Sequence, residues 1–466
     1  MKHKVLIATY YWPPSGGPGV QRYLKFAKYL PDFEIEPIVL TVKNPTYPIR
    51  DVSLIHEVPK ELKVYKSKTV EPFRFYAKMK GQKAESIKPT VEIAAESFSS
   101  SIGSWIRANL FIPDARAGWL LTARPRAEGL VKKHRIQTVI TTGPPHSVHF
   151  IGKHLQEKYG IRWLADFRDP WTQVYYNQLL PRTGVAEQID EKLEHAILKE
   201  ADEVIVVSPS QAENFRKICE RGYRVITNGF DPADFESLDA DSGKKEKVHD
   251  LSSDTEIPVR PDKIQTPVET SGARKGKAGL AISEATFLIR HVGNISESAV
   301  PEPFLQVIRK MAGRHNLKLE FIGDVHQRLI SLVDELELAS TVSIKPYQPH
   351  LVAMQMMREA DLLLLSIPDV DQIQHHIPGK LFEYLGSGRP VLMLGPVDGD
   401  SARILQDEQS GLACDFHDEK AIKHALQQFI DGKFQLKPIT DLKSHPYSRR
   451  TLTKNLSELI LMSETL

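Results

Sequence analysis

The chain has 466 residues, of which 41% are hydrophobic and 26% are charged, so it is long enough for two or three folded domains. Its 61 Lys and Arg residues nearly balance its 59 Asp and Glu residues, which argues against a general nucleic-acid-binding protein. Its two cysteines, Cys219 and Cys414, exclude a disulfide framework and a cysteine-based zinc site. We therefore expect a reducing compartment.

No apolar run approaches the roughly 18 to 20 residues that cross a bilayer as a helix. The first residues are similar to a short signal peptide, with basic residues followed by an apolar run. They are followed by Trp12-Pro13-Pro14, however, and not by the small residues of a cleavage site. We interpret them as a buried strand and expect a cytoplasmic protein, with peripheral contact at the inner membrane face as a second option.

Short apolar runs alternate with helical patterns along most of the chain. The runs are rich in Val, Ile and Leu without strict alternation, which is typical of parallel strands covered by helices on both faces. Strands are predicted at residues 5–9, 37–41, 138–141, 162–166, 203–207, 287–292, 318–322, 342–344, 362–366 and 391–394. Helices are predicted at residues 21–29, 124–133, 147–159, 185–200, 303–314, 326–336, 351–359 and 380–387. The predicted fold class is α/β, with two successive doubly wound units.

Two segments depart from this alternation. Residues 236–283 are polar, contain no Phe, Tyr or Trp, and predict a mobile insertion. Residues 72–118 are amphipathic and hold several aromatic side chains. They are interpreted either as a helical insertion or as a flap that faces an acceptor or a membrane.

A glycine-rich loop at residues 11–22 follows the first predicted strand and precedes a helix. Gly16 and Gly17 let the backbone approach a ligand, and the helix N-terminus offers free N–H groups to an anion. The spacing of Gly17 and Gly19 is similar to a dinucleotide fingerprint, but Arg22 occupies the third glycine position. This difference disfavours a hydride-transfer enzyme.

Two further motifs follow strands in the first half, where open α/β sheets bind their ligands. His146 lies in the first motif and is a candidate for contact with a ligand. In the second motif, Asp166, Arg168 and Asp169 either pair among themselves or place Arg168 and one carboxylate in a cleft. In that case Arg168, Asp166 and Trp171 are candidate acceptor-binding residues.

The strongest motif of the second half opens the helix predicted at residues 380–387. Lys380 and Glu383 are three residues apart, so they share one helix face near its N-terminus. A lysine at this position suits a diphosphate, and a carboxylate suits the paired hydroxyls of a ribose. The alternative is a solvated ion pair between the two side chains.

Taken together, these motifs resemble those of the retaining glycosyltransferases of family 4, which have the GT-B fold. The resemblance covers nearly the whole chain and also includes Asn228-Gly229-x-Asp231, His291-Val292-Gly293, Phe321-Ile322-Gly323 and Lys380-Leu381-Phe382-Glu383-Tyr384. It implies two Rossmann-like domains that face a central cleft. A nucleotide sugar would bind mainly to the second domain and the acceptor to the first, with no cofactor and no obligatory metal.

The resemblance also implies roles for single residues. Glu383 matches the glutamate that holds the donor ribose, Gly16 and Gly17 match the loop beside the donor phosphates, and His146 matches a histidine near the transferred sugar. The candidate catalytic residues are His146, Lys380 and Asp169, and the candidate donor-binding residues are Gly16, Gly17, Gly293, Asn294, Lys380, Leu381 and Glu383.

Two positions depart from the family pattern. His375 stands eight residues before Glu383, where the family has another glutamate. Residues 295–301 lack the Arg and Lys that often bind the diphosphate. Either Lys380, His291 or Arg290 supplies the positive charge, or the donor binds differently.

The resemblance divides the chain into an acceptor-side domain at residues 1–227, a donor domain at residues 228–444, and a final helix at residues 445–466 that crosses back to the first domain. That helix carries one apolar stripe, which needs a partner surface. Packing on its own domain is the alternative. The stripe consists of Leu452, Leu456, Leu459 and Ile460.

The predicted function is transfer of a sugar, with retention of anomeric configuration, from a nucleotide sugar to a saccharide or lipid-linked acceptor in cell-surface polysaccharide or glycoconjugate synthesis. One alternative is a sugar-nucleotide epimerase, for which Asp166, Asp169 and Asp324 are the candidate acids and bases. The other is a catalytically silent donor-binding homologue, suggested by His375 and by the missing Arg and Lys at residues 295–301.

Overall fold

The computed structural model describes residues 2–43, 45, 50–70, 105, 108–174, 180–242, 286–370 and 373–462. Residues 71–104 and 243–285 lie outside this part of the chain, and they include most of both predicted insertions. The mobile insertion at residues 236–283 and the helical or flap segment at residues 72–118 therefore stay predictions. No helix in the described ranges is long and apolar enough to cross a membrane.

The first domain is a parallel sheet with strand order β3-β2-β1-β4-β5-β6-β7. Its strands are β1 His3–Thr9, β2 Ile35–Lys43, β3 Lys63–Lys68, β4 Thr138–Gly143, β5 Arg162–Phe167, β6 Glu203–Val206 and β7 Arg224–Val225. Its helices are α1 Pro18–Tyr29, α2 Leu120–His134, α3 His149–Tyr159, α4 Gly184–Glu200 and α5 Pro209–Ile218.

The second domain repeats this plan with strand order β10-β9-β8-β11-β12-β13. Its strands are β8 Phe287–Val292, β9 Leu317–Ile322, β10 Val342–Lys345, β11 Leu362–Ser366, β12 Val391–Leu394 and β13 Gly411–Cys414. Its helices are α6 Pro232–Ser242, α7 Glu302–Ala312, α8 Gln327–Glu335, α9 His350–Glu359, α10 Gly379–Ser387, α11 Asp400–Asp407 and α12 Glu419–Ile430, and the chain then continues into α13 Arg449–Leu461. The predicted α/β class with two doubly wound parallel sheets is confirmed.

Both faces of each sheet are buried, which explains the continuous apolar runs. In β1, Leu6 packs into the core on one face of the sheet, and Val5 and Ile7 pack into the core on the other. In β11, Leu362 and Leu363 likewise pack into the cores on opposite faces of their sheet. Because the strand order reverses between β1 and β4 and between β8 and β11, each sheet has a crevice at the carboxyl ends of those strands.

The two domains are joined where the chain crosses from one to the other and back. Phe230 and Arg449 lie side by side there, with the amide of Arg449 donating to the carbonyl of Phe230 at 2.8 Å. Lys25 of α1 forms ion pairs with Asp231 at 2.7 Å and with Asp234 at 3.2 Å. Burial alone would raise the pKa of Asp231, but Lys25 and Lys28 hold it below its ordinary value. This junction therefore couples α1 to the start of the second domain.

Helix α13 returns to the first domain. The side chains of its apolar stripe are buried in the same core as β1 and α1. Arg162 of β5 donates from Nη1 to the carbonyl of Leu459 at 2.6 Å, which ties the helix to the sheet. The stripe therefore stabilises the first domain, although the helix follows the second domain in sequence.

Candidate functional site

The carboxyl ends of the first sheet face the second domain. Ser208, directly after β6, donates from Oγ to the backbone carbonyl of His375 at 3.3 Å. Ser210 in the first turn of α5 donates from Oγ to Asp400 at 2.9 Å. These contacts bring the carboxyl ends of the strands of both sheets toward each other, and in this class of fold ligands bind in the cleft between them.

Lys380 lies in the first turn of α10 and is held by neutral acceptors. Its Nζ donates to Nε2 of His291 at 3.1 Å and to the carbonyl of Asn294 at 3.4 Å. His291 is fully buried, and its Nδ1 lies 3.0 Å from the carbonyl of Leu364, which fixes the proton on Nδ1 and leaves Nε2 as the acceptor. Burial lowers the pKa of Lys380 to about 8, although Glu383 opposes this shift.

Two glycines make the close packing at Lys380 possible. Gly293 follows β8 with φ 123°, and a Cβ there would lie 2.9 Å from Nζ of Lys380. Gly323 follows β9 with φ 133°, and a Cβ there would lie 2.8 Å from the carbonyl oxygen of Gly293. Both positions require glycine for backbone conformation and for space. Asn294 is exposed at the same edge of the sheet.

Among the three candidate sources of positive charge, only Lys380 remains. Arg290 is paired with Glu320 at 2.7 Å and with Glu359 at 3.2 Å. Burial and the nearby Lys380 hold the pKa of His291 well below its ordinary value, so the imidazole is neutral. The interpretations of Arg290 and His291 as sources of charge are therefore wrong, and His291 instead holds the lysine in place.

Glu383 lies one turn after Lys380, at the junction of the domains. It lines a small cavity together with Lys25, Asp231 and Arg449. Burial raises the pKa of its carboxyl group, while His350 and Arg449 oppose this shift. Within the described ranges Lys380 and Glu383 form no ion pair with each other, so the alternative of a solvated pair is wrong.

In the first domain the glycine-rich loop ends at the N-terminus of α1. Gly17 is the N-cap residue with φ 103°, a backbone conformation that glycine adopts readily. Gly16 and Gly17 are both partly exposed. No side chain caps this helix end: Pro18 has no N–H, and the amides of Val20 and Gln21 donate to the carbonyl of Gly17 at 3.1 and 3.3 Å.

Arg168 and Asp169 follow β5 at the same edge. The Nε of Arg168 donates to the carbonyl of Gly143 at 3.1 Å. Asp169 reaches solvent in the cleft, whose partial enclosure raises the pKa of its carboxyl group, while Arg168 and His375 oppose this shift. The interaction with His375 places Asp169 opposite the second domain.

His146 lies at the edge of the cleft but is only 8% exposed. Its ring stacks on Trp171 with centroids 5.1 Å apart and planes at 3°. Burial and the neighbouring His149 and Arg168 hold the pKa of His146 well below its ordinary value. The imidazole is therefore neutral and forms part of a rigid aromatic wall.

Three predicted site residues have structural positions instead. Asp166 is fully buried and paired with Arg22, so its prediction as an acceptor-binding or epimerase residue is wrong. Trp171 is 3% exposed and donates from Nε1 to Asp190 at 3.1 Å, so it does not present its indole to an acceptor. Leu381 is fully buried in the core of the second domain and offers no side chain to a donor.

We expect Asp166→Ala to lower the free energy of unfolding by about 3–5 kcal/mol, because it leaves Arg22 buried without a counter-charge. The pair is closed at 2.8 Å, and both side chains are fully buried. Urea denaturation measures the loss. The control is Asp32→Ala, which removes an exposed partner of Arg450 and should cost less than about 1 kcal/mol. A stable Asp166→Ala protein with a raised acceptor KM would restore the acceptor assignment.

The sequence of the second domain also matches a known protein family. Residues 274–443 match the family model described as glycosyl transferases group 1. Over this range the second domain is similar to the glycosyl transferases of that family. No curated protein sequence matches the chain.

Solved structures share the architecture of this chain over nearly its whole length. A glycosyltransferase from Rickettsia africae is 13% identical, with 98% of each chain covered and a TM-score of 0.58. HepE from Anabaena, solved with UDP and glucose, is 12% identical, with 98% of this chain and 99% of HepE covered and a TM-score of 0.55. A putative UDP-N-acetylglucosamine 2-epimerase from Listeria monocytogenes is 10% identical, with 98% of this chain and 95% of the epimerase chain covered and a TM-score of 0.51. These likenesses establish the GT-B fold.

The structure also brings together residues that sequence reasoning kept apart. The sequence offers His291 as a candidate cation, yet its contact with Lys380 is that of a hydrogen-bond acceptor. Arg168 and Gly19 belong to motifs far apart in sequence, but a Cβ on Gly19 would lie 1.4 Å from Nη1 of Arg168. For both contacts the sequence signal is a basic residue, His291 or Arg168, at or just after the carboxyl end of a predicted parallel strand.

Proposed function

We propose that this protein is a glycosyltransferase that moves a sugar from a nucleoside diphosphate sugar to a saccharide or lipid-linked acceptor, with retention of anomeric configuration. The observation that carries the proposal is the cation of Lys380, which neutral groups hold at the N-terminus of α10, one helical turn from the carboxylate of Glu383. The fold and the family of the second domain support the same chemistry.

Lys380 stabilises the diphosphate as it leaves. When the bond between the sugar and the diphosphate breaks, negative charge develops on the bridging oxygen, and a positioned cation lowers the barrier. His291 and the carbonyl of Asn294 hold the ammonium group without neutralising it. The N-termini of α10 and α1 add partial positive charge, the latter beside Gly16 and Gly17.

Glu383 accepts hydrogen bonds from the paired hydroxyls of the donor ribose. Its carboxyl group has no hydrogen-bond partner within the described ranges, and it lies one helical turn beyond the lysine. A ribose is the sugar next to the diphosphate in a nucleotide, so this spacing matches the order of groups in the donor. Gly293 and Asn294 lie against Lys380 and would therefore border the diphosphate.

The transferred sugar would lie between the domains, near Asp169 and the wall formed by His146 and Trp171. His146 is neutral and enclosed, so it shapes the site rather than acting as a nucleophile. Asp169 is an acidic side chain of the first domain that interacts with His375 of the second, and we assign it to the hydroxyls of the sugar or to the developing positive charge. The acceptor would bind on the first domain, at the cytoplasmic face of a membrane if it is lipid-linked.

The proposal is tested by thermal-shift screening of the full chain against UDP-, GDP-, ADP- and dTDP-sugars, followed by turnover with the donor that stabilises it. Ligand binding to the native state raises its stability in proportion to ln(1 + [L]/Kd). NMR of the product should show the anomeric configuration of the donor. Isomerisation of the donor without an acceptor would instead indicate an epimerase, and binding without turnover would indicate a silent homologue.

We expect the affinity for the nucleoside diphosphate to fall as pH rises above 8. Burial lowers the pKa of Lys380 to about 8, so its cation is present below this pH and is lost above it. Between pH 7 and pH 9 the loss should approach about tenfold in Kd, measured by calorimetry. Lys380→Gln should bind weakly with a flat profile over the same range. A flat profile in the wild type would contradict this assignment.

A further inference from the structure

Arg168 in the first domain is held in the same way as Lys380 in the second domain, by hydrogen bonds to uncharged acceptors. Its Nε and Nη2 donate to the carbonyls of Gly143 and Pro144. These acceptors are neutral, and in the part of the chain that the structure describes no carboxylate lies within ion-pair distance of Arg168. Like Lys380, the guanidinium is therefore fixed in place without being neutralised.

A glycine makes room for each of these cations at the start of a helix. A Cβ on Gly19 would lie 1.4 Å from Nη1 of Arg168, and a Cβ on Gly293 would lie 2.9 Å from Nζ of Lys380. Gly19 lies in the first turn of α1, as Lys380 lies in the first turn of α10. Each cation is therefore added to the partial positive charge of a helix N-terminus.

A series of electrostatic interactions between the domains links the surroundings of Arg168 to those of Lys380. Asp169, next to Arg168, interacts electrostatically with His375 of the second domain. His376 interacts in turn with His375 and with Lys380. The carbonyl of His375 also accepts a hydrogen bond from Ser208 of the first domain at 3.3 Å, so both cations lie near the contact between the two domains.

We propose that Arg168 binds the diphosphate of the donor together with Lys380, so that one anionic group bridges the two domains. The inference rests on the proposed function. A diphosphate has oxygens on two phosphorus atoms, and the Nη1 of Arg168, which donates to none of the described residues, can reach one of them with a charge-assisted bond. The first domain then supplies the charge that residues 295–301 lack. This moves Arg168 from the acceptor side of the site to the donor side.

The test is calorimetric titration of the full chain with UDP, GDP, ADP and dTDP, and then with the nucleoside of whichever diphosphate binds. Arg168→Gln should weaken the diphosphate roughly 10- to 100-fold and leave the nucleoside unchanged. Arg168→Lys should keep part of the affinity, since it preserves the charge. The matched control is Arg309→Gln, which removes an exposed arginine of α7 and should change neither affinity.

Three outcomes would overturn the inference. If Lys380→Gln weakens diphosphate binding while Arg168→Gln and Arg168→Lys bind like the wild type, the inference falls and the proposed function stands. If Arg168→Gln raises only the KM for the acceptor, the earlier acceptor assignment is correct. If the wild type binds no nucleoside diphosphate, the proposed function fails and the inference fails with it. Melting temperatures of all variants show whether a loss of binding reflects a loss of folding.

Discussion

Truncation after Ser444 is expected to destabilise the first domain by about 6–12 kcal/mol, which is comparable to the whole stability of an ordinary domain. The truncation removes α13, whose four stripe side chains are each no more than 4% exposed against β1 and α1. It also exposes the apolar surface that those side chains cover. Thermal and urea unfolding of the truncated chain should show the first domain unfolded or greatly weakened.

Point variants keep this prediction testable even if the truncated chain cannot be purified. Leu456→Ala removes a fully buried side chain of α13 and should cost about 2–5 kcal/mol. Lys454→Ala removes an exposed side chain of the same helix and should change stability by less than about 0.5 kcal/mol. Equal stability of the two variants, or wild-type melting of the truncated chain, would show that the helix is dispensable.

Lys380→Gln is expected to lower kcat for sugar transfer by roughly 10²- to 10³-fold, which corresponds to removal of one positioned group that stabilises transition-state charge. The fold should remain intact, because Lys380 is only partly buried and Gln is a neutral side chain of similar length. Steady-state kinetics with the donor identified by screening measure the effect, and the melting temperature verifies folding.

The matched control is Lys345→Gln, since this lysine lies at the end of a strand in the same domain but is paired with Glu320. It should retain nearly wild-type kcat and donor KM. Glu383→Gln should raise the donor KM more than it lowers kcat, because the ribose is bound alike in the ground state and the transition state. An active Lys380→Gln enzyme would mean that the diphosphate is stabilised elsewhere.

The sequence by itself determined the fold class and the edge of each sheet where the site lies. Runs such as residues 5–9 and 362–366 are mostly apolar on both faces, which is typical of strands in a parallel sheet covered on both sides, and their alternation with helical patterns indicates such a sheet. The strands that the sequence analysis did not predict, β3, β7 and β13, lie at the edges of the sheets. Such strands are partly exposed, so their sequences carry a weaker apolar signal; β3, for example, has three lysines among its six residues.

Only the tertiary structure decided which charged residues are free to act. Asp166 and Arg168 are two residues apart, yet Asp166 is buried against Arg22, and Arg168 is held at the cleft by two carbonyls. Likewise His291 and Lys380 are both basic residues, and only their contact shows that one is a neutral acceptor for the other. Sequence patterns place a side chain on a strand end or a helix face, but its charge state and availability depend on partners that folding brings from distant parts of the chain.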